Sequence, residues 1–110
     1  MELNVPERLV LLDLLPKEGR YADIVTIRRA RGLLALTLEE TKAIDYKEEN
    51  VGGQYLAYFD QQKATELIVD TPVDAWTTNT IEVALAKLEK ESKMSEKYAS
   101  LYEKFIVNYG

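Results

Sequence analysis

A small α+β domain, mostly helical, is the fold class this sequence predicts, and three observations predict it. Helix-start signals recur along the chain, the hydrophobic pattern changes period after Gly52-Gly53, and two consecutive C-terminal segments repeat an apolar i, i+3, i+4, i+7 spacing. The order read from them is three N-terminal helices, a small antiparallel β-hairpin and a C-terminal antiparallel helix pair, in a single domain spanning residues 1–110. With 46% hydrophobic and 30% charged residues, the chain is too apolar for a disordered segment and has enough for one modest core.

The first helix opens at Asn4 as N-cap, with Pro6 in its first turn and Glu7 placed to reach back to the Asn4 backbone N–H. It stops at Leu15, before Pro16 and Gly19. Only Asp13 is polar between Leu9 and Leu15, so the helix is apolar almost all round and is either central in the core or docked on a partner. A second helix runs from Tyr21 to Ala35, with Thr26, Ile27, Ala30, Leu33 and Leu34 on its core face. Thr37 followed by Glu40 is a second capping box, opening a short helix that reaches Asp45.

After Gly52-Gly53, Gln54 to Phe59 and Ala64 to Asp70 are rich in aromatic and β-branched residues and read as two strands, with Asp60 to Lys63 as the hairpin loop. Asn79 with Glu82 gives a third capping signal, and Ile81, Ala84, Leu85 and Leu88 form the apolar face of a long helix. A break at Ser92 to Met94 precedes a last helix from Ser95, where Tyr98, Leu101, Tyr102 and Phe105 repeat that spacing and complete the pair.

The chain has no cysteine and no histidine. Thiolate nucleophiles, disulfides, zinc ribbons and iron–sulfur clusters are therefore excluded, and so are the commonest general base and transition-metal ligand. Carboxylates remain: Asp70 and Asp74 flank Pro72, and Glu39/Glu40 and Glu48/Glu49 are adjacent pairs. No calcium-loop, H-E-x-x-H, G-x-S-x-G, Walker or G-x-G-x-x-G pattern organises them, so they read as a solvated face. The reading is of a protein that is not an enzyme, with no cofactor and no small-molecule substrate.

Charge is unevenly spread within the net −5. Lys17 to Ala35 holds five basic residues against two acidic, whereas Leu36 to Asp74 holds three basic against nine acidic. Three helices followed by a hairpin match the order of a winged helix, and Arg28 and Arg31 could reach phosphates from one helix face. The third helix, with Glu39, Glu40 and Asp45 against Lys42, would repel phosphate, which argues against a nucleic-acid partner. Arg28 and Arg31 then read as ion-paired with the protein's own acidic half.

Seven tyrosines point instead toward protein contact, because tyrosine offers a large apolar body with a polar tip. Tyr55, Tyr58, Tyr98, Tyr102 and Tyr109 fall in segments of regular period. The candidate interface residues are Leu9, Leu11 and Leu12 on the first helix and Tyr98 and Tyr102 on the last. The partner is another protein or a second copy. The longest apolar run, Leu9 to Leu15, is far short of the roughly 20 residues that span a bilayer, and Glu2 heads no signal-like segment, so the expected location is cytoplasmic.

Val5-Pro6-Glu7-Arg8-Leu9 through Leu14-Leu15-Pro16-Lys17-Glu18-Gly19, with Ser100-Leu101-Tyr102-Glu103-Lys104-Phe105, resembles a family of small phage and prophage proteins without an assigned activity. The resemblance implies a phage or mobile-element origin, hence the host cytoplasm or the virion, and carries over no catalytic residue. It leaves three functional expectations: an accessory protein acting by protein–protein interaction or self-association, a small winged-helix-like DNA-binding regulator, or a virion structural or assembly component.

Overall fold

The structure is a computed structural model that describes residues 1–107, so Tyr109 lies outside the described residues. Its elements are β1 (Glu2–Leu3), α1 (Val5–Leu14), α2 (Tyr21–Leu34), α3 (Leu38–Ala43), β2 (Lys47–Val51) and β3 (Gln54–Tyr58). They are followed by α4 (Gln61–Glu66), β4 (Val69–Asp70), α5 (Ala75–Lys90) and α6 (Glu96–Tyr102), which runs into a π-helical turn at Glu103–Val107. The fold is α+β and mostly helical, with three N-terminal helices, an antiparallel hairpin and a C-terminal helix pair.

The capping boxes of α1 and α3 form. Asn4 Oδ1 accepts from the Glu7 N–H at 2.9 Å, and Glu7 Oε1 accepts from the Asn4 N–H at 3.0 Å. Thr37 Oγ1 accepts from the Glu40 N–H at 3.1 Å, and Glu40 Oε1 accepts from the Thr37 N–H at 2.9 Å. Two helices end in Schellman motifs. Tyr46 N–H reaches Thr41 O at 2.9 Å and Asp45 N–H reaches Lys42 O at 3.2 Å, while Lys93 N–H reaches Leu88 O at 2.8 Å and Ser92 N–H reaches Glu89 O at 3.1 Å. The residue past each cap is left-handed without being glycine: Asp45 at φ 55° and Ser92 at φ 57°. At the start of α2, a Cβ on Gly19 would stand 2.9 Å from Asp23 Cβ, so the loop after Pro16 closes only with glycine there.

Helix α1 is central, touching α2, α4, α5 and α6, as a helix apolar on several sides must. The main core joins Leu3, Leu11 and Leu15 to Ala30 and Leu34 of α2, Ile81 and Leu85 of α5, Leu101 of α6 and Phe105. A second, smaller core brings Val5, Ile44 and Ala64 together under Leu36, Tyr46, Phe59 and Leu67. Leu33, expected in the core, is instead 37% exposed, because Ile27, Ala30 and Leu34 centre the buried face one side away from it.

Further expectations are corrected. The hairpin pairs Lys47–Val51 with Gln54–Tyr58, one strand earlier than its pattern suggested. Gly52 and Gly53 both have positive φ, 59° and 83°, as the two-residue turns matching strand twist require, so Gly52-Gly53 is the hairpin turn and not a turn before it. Asp60 to Lys63, expected as the loop, starts α4: Asp60 Oδ1 caps the Lys63 N–H at 2.9 Å, and the helix buries Ala64 against the second core. Val69–Asp70 is a strand, but its partner is Glu2–Leu3 in a separate two-stranded sheet. Lastly, α5 begins at an Asp74 cap on the Thr77 N–H at 2.7 Å, leaving Asn79 and Glu82 inside the helix.

No helix among the described residues is long and apolar enough to cross a membrane. The radius of gyration, 15.0 Å, exceeds the roughly 13 Å of a compact chain of this length, and the projecting hairpin is the element least covered by the rest.

Candidate protein interface

The β2–β3 hairpin is anchored at its root and bare beyond it. At the root, Asp60 N–H bonds Ile44 O at 2.8 Å, Lys63 Nζ meets Asp45 Oδ2 at 2.6 Å, and Tyr46 and Phe59 pack on the second core. Beyond it every residue of both strands is exposed except the half-buried Leu56, so neither face of the sheet is covered. Val51 is 56% exposed, Tyr55 68% and Tyr58 49%. An isolated two-stranded hairpin is marginal in water, so this one depends on the anchoring at its root.

Strand pairing sorts its side chains. One face carries Lys47 beside Tyr58, Glu49 beside Leu56 and Val51 beside Gln54, and the other carries Glu48 beside Ala57 and Asn50 beside Tyr55. Glu48 accepts from the hydroxyls of Tyr46, at 3.0 Å, and Tyr55. Hydrogen bonding to that carboxylate pushes both phenols above their ordinary pKa and fixes Tyr55 across the sheet.

Of the interface residues read from the sequence, Leu11 is fully buried in the main core and is not available to a partner. Its neighbours differ because α1 is overlaid on several sides but not all: Leu9 is 36% exposed and Leu12 half-buried. Tyr98 and Tyr102 are half-buried and pack against the main core, so their helical spacing serves the C-terminal pair.

Arg28 and Arg31 are both exposed on α2. Their expected pairing with the acidic half is corrected: among the described residues no carboxylate lies within 4.0 Å of Arg28, Arg29 or Arg31. Several of that half's acids are engaged elsewhere, while Glu39 and Glu49 stay exposed. Glu40 belongs to Arg8, Asp45 to Lys63, Glu48 to the two tyrosines, and Asp74 to the α5 cap, so these carboxylates are structural ties rather than a merely solvated face. No group of three or more metal-ligating acids occurs among the described residues.

The strongest polar constellation, which the sequence reading passed over, is built on Arg8 at the head of the apolar run. Arg8 is 3% exposed; its Nε donates to Leu34 O at 3.1 Å and its Nη2 to Ala35 O, satisfying the last carbonyls of α2. Both terminal nitrogens also bind the Glu40 carboxylate, the fork-to-fork geometry that makes such pairs strong. Hydrogen bonding from Arg8 holds the Glu40 carboxyl below its usual range. Glu7 likewise binds Lys104 at 2.8 Å, and Lys104 donates to Glu2 O at 2.9 Å, fastening the π-helical turn to the start of α1. These groups find partners inside the fold and fasten α1 to α2, α3 and the π-helical turn.

A cleft of about 360 Å³ lies between the end of α1 and α5, lined by Leu14, Pro16, Asn79, Thr80, Val83, Ala84 and Lys87. Among the described residues, Lys87 is the ionisable side chain that lines it. Comparison with protein-family models, with curated proteins and with solved structures returned no match for this chain.

Proposed function

We propose that this chain is a non-enzymatic accessory protein of a phage or prophage, acting by self-association or by binding another protein. The observation that carries the reading is the hairpin: two strands rooted in the fold, uncovered on both faces, and bearing Val51, Tyr55 and Tyr58 in solvent. The origin rests on the L-P-K-E-G and L-Y-E-K-F elements alone. A virion structural or assembly component would use the same surface and is the structural form of this reading.

Size-exclusion chromatography with light scattering tests one arm, and affinity capture from phage-infected cells tests the other. The expected result is a stable oligomer, or a stoichiometric partner lost when Tyr55 and Tyr58 are replaced by serine. A chain that stays monomeric and retains nothing overturns the proposal.

A second reading, DNA binding, is favoured by the arginines of α2, which have no carboxylate partner within 4.0 Å among the described residues. It predicts retention on duplex DNA at low salt that falls steeply with added salt and drops in Arg28→Ala and Arg31→Ala. No retention at low salt ends it.

A further inference from the structure

We infer that β3 pairs with β3 of a second copy, antiparallel and centred on Leu56, so that two hairpins join into one four-stranded sheet. The inference rests on the self-association arm of the proposed function and names the surface, the register and the stoichiometry.

The two edges of the hairpin differ. Strand β2 carries Lys47, Glu48 and Glu49 in succession, the kind of charged edge that repels further strands. Strand β3, Gln-Tyr-Leu-Ala-Tyr, has no charge and no proline, and among the described residues its backbone makes no hydrogen bond to any element other than β2. It is an edge left open beside one that is closed.

The turn fixes which backbone groups face outward. A two-residue turn at Gly52-Gly53 makes Val51 and Gln54 the closing hydrogen-bonded pair, and alternation along the ladder then points Leu56 toward β2 and the N–H and C=O of Tyr55 and Ala57 away from it. A second β3 laid antiparallel about a two-fold axis at Leu56 sets Tyr55 opposite Ala57 of the other copy. Each such pair exchanges two hydrogen bonds, so the four outward groups of each strand are all satisfied.

The side chains suit this register. Leu56 meets its own symmetry mate, a large Tyr55 lies beside a small Ala57, and Tyr58 lies beside the Gln54 amide. The acidic β2 strands end up outermost, about 14 Å apart across three strand spacings, beyond a Debye length of roughly 8 Å. Their charges stop the sheet at four strands, and four strands exceed the three that give a sheet independent stability. Because the strands run antiparallel, the two helical bodies stand at opposite ends of the sheet.

The absence of cysteine makes the test clean, since a single introduced thiol has only its symmetry mate to join. At the two-fold axis Leu56 faces Leu56 in a non-hydrogen-bonded pair with Cα atoms about 4.5 Å apart, within disulfide range. Leu56→Cys is therefore expected to form a covalent dimer under mild oxidation, whereas Val51→Cys, exposed on the outer strand, is not. Light scattering on the native chain at micromolar concentration is expected to give twice the chain mass. Leu56→Glu, which sets two like charges face to face, and Ala57→Pro, which removes an N–H that β2 does not use, are each expected to halve it with the helical circular dichroism unchanged. Should Ala57→Pro fail to fold, Leu56→Glu and the two cysteine variants decide.

A native monomer in which Leu56→Cys crosslinks no faster than Val51→Cys overturns the inference, while a partner captured from infected cells would leave the proposed function standing. A dimer that survives Leu56→Glu also overturns it, and then self-association holds but uses another surface.

Discussion

The β2–β3 hairpin and the α5–α6 pair are both two elements joined by a short connection, yet they spend their side chains in opposite ways. The helix pair and the turn that follows it bury Ile81, Leu85, Leu101 and Phe105 to 1% exposure or less, all in one core with α1. The hairpin buries no residue fully. Hydrophobic burial is the main source of folding free energy, so stability concentrates in the helix pair while the hairpin is free to vary what it contacts. The proposed function follows that difference: the apolar groups the core does not use are the ones it assigns to a partner.

Substitutions that strike the two regions unequally test this contrast. Phe105→Ala is expected to have the largest effect, destabilising by about 3–5 kcal/mol through lost burial and a cavity, which approaches the whole stability of a small domain. Chemical denaturation measures it, and a loss under 1 kcal/mol would mean that the π-helical turn is not part of the core.

Arg8→Met comes next. It strands the Leu34 and Ala35 carbonyls and unpairs Glu40, for an expected loss of about 3 kcal/mol. Its signature is the pH dependence. Because Arg8 depresses the Glu40 pKa, the pair contributes fully above the ordinary value of 4.5 and the contribution is lost as pH falls through the depressed value. Thermal melts of the native chain should therefore lose stability below that pH more steeply than melts of Arg8→Met, and equal acid slopes would show that the pair carries no linkage.

Ser92→Gly acts in the connection of the helix pair. It relieves a left-handed residue and is expected to stabilise by about 0.5–1 kcal/mol, a rise of a few degrees in Tm. A lower Tm would place Ser92 in some contact beyond its backbone role. The smallest effect belongs to the hairpin: Glu48→Gln should return two phenols toward their ordinary pKa, seen by ultraviolet titration, and leave Tm unchanged. A substantial fall in Tm would mean that the hairpin contributes to global stability after all, and the contrast would fail.

Local signals proved legible where the physics is local. The Asn4–Glu7 and Thr37–Glu40 boxes form as read, because a cap and its partner lie within one turn of each other. The apolar spacing of Ile81, Leu85, Leu101 and Phe105 marked the core for the same reason, one period per helix. Ala64 to Asp70 misled because seven residues with β-branched members fit a strand or a short helix equally well, and the burial of Ala64 against Val5 and Ile44 made the choice. Arg8 was missed because its partners lie 26 to 32 residues away, and no pattern along the chain joins them.

The hairpin surface was half visible. Its tyrosines stood out in composition, but the residues read as an interface were placed on α1 and α6, where Leu11 turned out to be interior and Tyr98 and Tyr102 to line the core. Periodicity says which residues share a face and not which face finds a neighbour.

By itself the sequence determined the fold class, most of the helix ends and the exclusion of thiol and imidazole chemistry, because composition, capping and periodicity act within a few residues. Only the tertiary structure decided which strands pair, which charges are fastened inside and which apolar groups stay in solvent. Those outcomes depend on contacts between distant segments, such as Glu2–Leu3 with Val69–Asp70, whose energy exists only once the chain has closed around α1.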